Sequence, residues 1–155
     1  MADTKERPNS PLSPHLMVSN AAGAIDFYKK AFNATELARH LAPDGKRIMH
    51  AALSINGATV MLSDEFPEYS GGKSSNPKAL GGTPVVLHLQ MTDADTFFAH
   101  AAANGADVKM PLADQFWGDR YGQLMDPYGH LWSVGATKQK LNEEQIKEAA
   151  KAHFK

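Results

Sequence analysis

The chain has 155 residues, 43% of them hydrophobic and 21% charged, with a formal net charge of −1. That is enough chain to bury one sizeable core, and the composition is that of an ordinary globular domain. No basic stripe points to nucleic acid, no apolar run approaches the ~18–20 residues that cross a bilayer, and the lack of cysteine excludes disulfides, thiolate metal sites and thiol nucleophiles.

Residues 1–11 are polar, hold Pro8 and Pro11, and are expected to form a disordered tail. They contain no apolar stretch of the kind a secretory signal needs, and a cytoplasmic location is expected. His15 to Val18 reads as a strand. Ser19-Asn20 can cap a helix, because their side-chain oxygens can accept its orphan N–H groups. That helix runs to Phe32, with Ile25, Tyr28 and Phe32 on one face. Thr35 to Leu41 follows as a strand, and Pro43-Asp44-Gly45 as a turn. Arg47 to Ile55 and Ala58 to Leu62 read as two strands joined at Asn56-Gly57, a strong hairpin signal. Within the first of these, Met49, Ala51, Leu53 and Ile55 are assigned to the core face, which leaves His50 on the other.

Phe66 to Thr83 holds Pro67, Gly71-Gly72, Pro77 and Gly81-Gly82, and reads as a mobile linker with little to bury. A second series then begins. Val85 to Met91 is a strand, and Thr92 or Asp93 caps a helix carrying Phe97, Phe98, Ala101 and Ala102. Asn104-Gly105 stops that helix. Asp107 to Met110, Tyr121 to Met125 and His130 to Val134 complete three strands, the last two turned at Asp126-Pro127-Tyr128-Gly129. Asn142 can cap a final amphipathic helix, with Gln145 in the capping-box position.

The two series repeat one another. The turn glycines Gly57 and Gly129 lie 72 positions apart, and Arg47 and Arg120 lie 73 apart. Each series reads βαβββ. The expected organisation is one domain over 12–137, made of unit one (12–65), the linker (66–83) and unit two (84–137), with a helical extension over 138–155.

Several ordered blocks resemble the vicinal oxygen chelate superfamily, which includes glyoxalase I, ring-cleaving dioxygenases and bleomycin-resistance proteins. They are Ser13-Pro14-His15-Leu16, the helix from Ala24 to Phe32, Ile48-Met49-His50-Ala51, Met61-Leu62-Ser63-Asp64-Glu65, Phe116 to Gly122 and Asp126 to Trp132. The nearest branch is the PhnB-like one. The resemblance implies an α+β fold in which two tandem βαβββ units form curved mixed sheets around a cavity. It also implies a homodimer that takes a small molecule.

Metal-dependent members draw a ligand from the first and last strand of each unit. Carried over position by position, those places here hold Ser13, Met61, Val86 and Ser133. The set lacks the usual His and Glu ligands, so no metal and no cofactor are expected. One rival stays open. His15 and His88 lie two residues beyond the expected positions, on the same strand face, and with His50 they could serve a metal-dependent lyase, isomerase or dioxygenase. A structural or regulatory dimer with a vestigial pocket is a third reading.

The residues expected to line a pocket are His15, His50, Met61, His88, Gln90, Trp117, Arg120, Tyr121 and Ser133. Trp117 and Tyr121 suit a stacking wall, and Arg120 suits a forked hydrogen bond to an anionic or carbonyl group. The other reading of that segment is a structural loop, with Arg120 paired to Asp119 or Asp126 and Trp117 in the core. Trp132 is assigned to the core, and His40, His100 and His153 to solvent. His130 is expected to be structural or exposed. Asp64-Glu65 reads either as a general base at the pocket mouth or as a solvated strand end.

Overall fold

A computed structural model describes residues 10–155, so the expected tail lies outside the described residues except for its last two. Both units are present, each as a four-stranded sheet with one long helix. The first contains β1 (His15–Met17), α1 (Ala21–Ala31), β2 (Thr35–Leu41), β3 (Ile48–Ile55) and β4 (Ala58–Ser63), in sheet order β1-β4-β3-β2. The connection holds a 3-10 turn at Pro67–Tyr69 and a short α2 (Pro77–Leu80). The second unit contains β5 (Val86–Gln90), α3 (Ala94–Ala103), β6 (Asp107–Asp114), β7 (Asp119–Met125) and β8 (Leu131–Thr137), in order β5-β8-β7-β6. Helix α4 (Glu143–His153) follows. In each sheet the first strand runs parallel to the last, and the other pairs are antiparallel.

Local chemistry sets the boundaries. Asn20 accepts from the Gly23 N–H and Asp93 from the Thr96 N–H, each satisfying an orphan donor of the first helical turn. Asn142 and Gln145 form the reciprocal capping box at α4. Asn56 and Gly57 both have positive φ, 51° and 81°, the twist that a two-residue hairpin needs.

Ile25, Tyr28 and Phe32 are buried along one face of α1, where they join Leu53, Leu62 and Trp132 in a core shared by both units. The units are also tied by polar contacts. Asp126, 3% exposed, accepts from the Tyr28 hydroxyl at 2.5 Å and from Trp132 Nε1 at 2.8 Å through Oδ2. Its Oδ1 accepts from the backbone N–H groups of Tyr128 and His130. Burial, with the adjacent Asp126 carboxylate, pushes the Tyr28 hydroxyl well above its usual range, so it stays a donor. His130 Nε2 donates to the Met17 carbonyl, and His100 Nε2 to the Lys30 carbonyl. His130 is therefore structural, and His100 is not simply solvated.

Three expectations change. Strands β6, β7 and β8 reach further than the pattern indicates, and Asp114 pairs with Arg120, so Asp119 and Arg120 join Tyr121 as strand residues. Met49 does not belong to the core face. His40 pairs with His50 and Leu41 with Ile48, so Met49 is an extra, bulged residue; it is 48% exposed while Ile48 is buried. The connecting segment does bury groups. Glu65 accepts from Ser75 and Asn76, Asn76 caps α2, and Pro77 and Asn76 are buried. Asp64 accepts from the N–H groups of Ala21 and Ile48, so neither acid of that pair is a bare strand end.

Candidate functional site

Alternation along β5 separates Leu87 and Leu89, which pack toward the core, from His88 and Gln90, which are exposed on the helix-free face. Register then fills that face. Ser133 and, beyond it, Gln123 lie beside His88; Gly135 and then Tyr121 lie beside Gln90.

These side chains form a directed hydrogen-bond chain. Gln90 Nε2 donates to Thr137 Oγ1 at 3.2 Å, which leaves Gln90 Oε1 as an acceptor. His88 Nε2, 2.7 Å from that oxygen, must carry the imidazole hydrogen. His88 Nδ1 then accepts from the Ser133 hydroxyl at 2.8 Å. The chain fixes the tilt of the His88 ring and places a hydrogen on Nε2. A Cβ at position 135 would sit 2.9 Å from His88 Cε1 and 3.0 Å from Gln90 Oε1, so the arrangement requires Gly135.

Aromatic rings continue the face. Tyr121 stacks on His88, with centroids 5.9 Å apart and planes 16° apart, and Trp117 meets Tyr121 edge-on at 5.6 Å. The Tyr121 hydroxyl also accepts from Gln123 Nε2 at 3.1 Å. Trp117 is partly exposed and lies outside the core, whereas Trp132 is 1% exposed within it.

The other expected residues lie elsewhere. His15, His50 and Met61 share the first sheet. His15 is opposite Met61 in register, its Nε2 is 3.0 Å from Ser63 Oγ, and its ring meets that of His50 edge-on at 6.1 Å. His40, expected in solvent, is exposed but stacks on His50. A cavity of about 250 Å³ beside β1 and β5 is lined by His15, Leu87 and His130 among others. His153 packs against Phe116.

Arg120 takes the structural reading, with different partners. Its Nε and Nη2 fork onto Asp95 at 3.0 and 2.8 Å, and its Nη1 meets Asp114 at 2.9 Å. These bonds fasten α3 to the β6–β7 edge and draw the guanidinium's donors to acids of its own chain. Lys138, and after it Arg120, hold the Asp114 carboxyl below its usual range.

The donors on these faces do not fit the metal implied by the resemblance. Among the four carried-over positions, Val86 has no donor, Met61 is soft, and the Ser133 hydroxyl is committed to His88. Both nitrogens of His88 are hydrogen-bonded, and His15 Nε2 is engaged by Ser63. Among the described residues no group of three or more His, Asp or Glu is placed to hold a metal ion.

Sequence reasoning missed Gly135, Thr137, Gln123 and Ser63. Gly135 carried a signal, since a glycine inside a strand often marks the close approach of another group. The rest depend on cross-strand register.

Residues 12–134 match the family model described as the Glyoxalase/Bleomycin resistance protein/Dioxygenase superfamily. The uncharacterized protein Mb0911c of Mycobacterium bovis is 56% identical over 138 residues, covering 89% of this chain and 90% of that one. Among solved structures, TioX from Micromonospora sp. ML1 superposes with a TM-score of 0.66 at 29% identity, covering 83% of this chain and 99% of TioX. A PhnB protein from Bacillus cereus superposes at 0.62 with 20% identity, covering 82% and 99%. Two mixed four-stranded sheets in tandem, and a family match over most of their length, place this chain in the Glyoxalase/Bleomycin resistance protein/Dioxygenase superfamily.

Proposed function

We propose that this chain is a PhnB-like, metal-free binding protein of its superfamily, which holds a small planar organic molecule against the helix-free face of the second sheet. The observation that carries the reading is the preorganised chain Ser133–His88–Gln90–Thr137 set beside the stacked rings of Tyr121 and Trp117. Aromatic walls supply contact area at small entropic cost, and a few fixed polar groups set orientation. The Gln90 amide and the Ser133, Thr137 and Tyr121 hydroxyls favour a ligand with both donors and acceptors. The face is open on one side, and Val86 and Met110, which register places on it, are 41% and 38% exposed. Apolar exposure of this kind suits a surface that a second copy covers, with His15, His50 and Met61 of the first sheet as candidates for the opposite wall.

Trp117 supplies the readout, because the second tryptophan is buried. Protein purified without a His-tag should carry no stoichiometric divalent metal. Titration with planar aromatic compounds should quench its emission saturably, EDTA should leave the quench unchanged, and Trp117→Phe should abolish it. Near-stoichiometric metal that is lost in a His15→Ala/His88→Ala variant would sink the proposal in favour of metal-dependent chemistry. A Trp117 signal indifferent to every compound would favour a vestigial pocket.

A further inference from the structure

A second cavity, of about 630 Å³, opens where the β2–β3 turn meets the segment after β4. It shares no lining residue with the His88 face. Its size falls within the range of small-molecule sites, ~300–1,000 Å³. Met49, Phe66 and Tyr69 form much of its apolar wall, and Asp44, Arg47 and Glu68 supply its charge. Met49 and Tyr69 are 48% and 87% exposed, so large apolar groups stand uncovered at its edge.

The duplication explains why Arg47 lies at this cavity. In the second unit Arg120 reaches Asp95 in the first turn of α3. The corresponding place in α1, 73 residues earlier, is Ala22, which offers no acceptor. Arg47 turns instead to its own turn and to the connecting segment. Its Nε donates to Asp44 Oδ2 at 2.7 Å, and its two terminal nitrogens donate to the two oxygens of Glu68 at 2.7 and 3.1 Å. Its guanidinium lies 4.4 Å over the Phe66 ring centroid.

One cation thus meets two anions, and the lining keeps a net charge of −1. That balance holds through the physiological range. The Arg47 side chain and the Lys46 and Arg47 N–H groups hold the Asp44 carboxyl at about 2, and Arg47 holds Glu68 below its usual range. An anion would face two carboxylates whose only guanidinium is already bound. A cation finds excess negative charge, and the exposed Tyr69 ring offers it a π face.

We propose that this cavity binds a monocationic organic molecule with an aromatic or other apolar body, its charge beside Glu68 and Asp44 and its body against Met49 and Tyr69. The site is independent of the His88 face. The probes are benzyltrimethylammonium and phenylmethanesulfonate, which are similar in size and opposite in charge. Binding is read on methyl-labelled methionine, with Met49 as the reporter. The cation should move the Met49 signal saturably, and the anion should bind at least about fivefold more weakly. Glu68→Gln and Tyr69→Ala, both at exposed positions, should each weaken the cation severalfold while the other methionine signals confirm the fold. His88→Ala should leave this binding unchanged. No saturable movement to about 10 mM, equal binding of the two probes, or indifference to Glu68→Gln overturns the proposal.

Discussion

Replacing Tyr28 with phenylalanine tests how the two units are held together. The ring should stay in place, packed against Phe27, Phe32 and Trp132 at centroid distances of 5.4 to 5.7 Å. What disappears is one O–H donor to a buried carboxylate 98 residues away. Asp126 keeps Trp132 Nε1 on the same oxygen and two backbone N–H groups on the other, so it is weakened rather than stranded. A hydrogen bond to a charged group contributes about 1.5–3 kcal/mol. At this chain length that corresponds to a loss of roughly 3–12 °C in Tm. Urea unfolding, followed by far-UV circular dichroism and by tryptophan emission, should give the loss directly. Asp126→Asn should cost more than Tyr28→Phe, because in either orientation its amide hydrogens face groups that donate to the carboxylate, and buried donors lose their acceptor. Combined with Tyr28→Phe it should cost less than the sum, since the two share one bond. A Tyr28→Phe variant within about 0.5 kcal/mol of the parent, or strict additivity with Asp126→Asn, would refute a network joining the units.

Two further expectations follow from single positions. Gly118 has a φ of 102°, and a Cβ there would land on the backbone carbonyl of Gln139 at the root of α4. Gly118→Ala should therefore destabilise by about 2–3 kcal/mol, visible as a lowered Tm; an unchanged Tm would show that the turn yields freely. Asp44 is held at about 2 in the fold, against about 3.9 in an unfolded chain. The folded state binds this proton less readily, so the contribution is whole above about pH 4 and is lost as pH falls toward 2. Asp44→Asn should flatten the acid limb of stability in urea titrations stepped through that window, and an unaltered limb would count against it.

Features governed by neighbours in sequence were legible before the structure. The caps at Asn20, Asp93 and Asn142 and the turn at Asn56-Gly57 depend on residues within one turn, and local chemistry decides them. The bulge at Met49 was not legible, because it arises from how β2 pairs with β3, and alternation alone places Met49 with Ala51. The role of Asp126 was hidden for a related reason. In sequence it is a turn residue before proline, and only packing of α1 against the second unit brings Tyr28 to it. The site was partly legible. His88, Gln90, Tyr121, Trp117 and Ser133 were all singled out, but their bonding order rests on the parallel register of β5 with β8, which no spacing encodes. Arg120 stayed open between two readings because a forked donor suits a ligand as well as it suits Asp95, and only the packing of α3 on the second sheet shows which acid it meets.

The two sheets also show why a shared backbone need not give two equivalent sites. Register matches His15 with His88, Met61 with Ser133, Met17 with Gln90 and Ser63 with Gly135. In the second unit the glycine leaves room for His88 to lie beside Gln90, and Ser133 completes its hydrogen bonding from the other side. In the first unit the glycine's place is taken by Ser63, which itself engages His15 Nε2, while Met17 offers a sulfur where Gln90 offers an amide. The first face therefore closes on itself through one serine. The second extends its polar chain across β5 and β8 beside the exposed edge of an aromatic stack. The difference traces to a few side chains on matching strands, and the proposal that a ligand is held on the second sheet, with the first as a wall, rests on it.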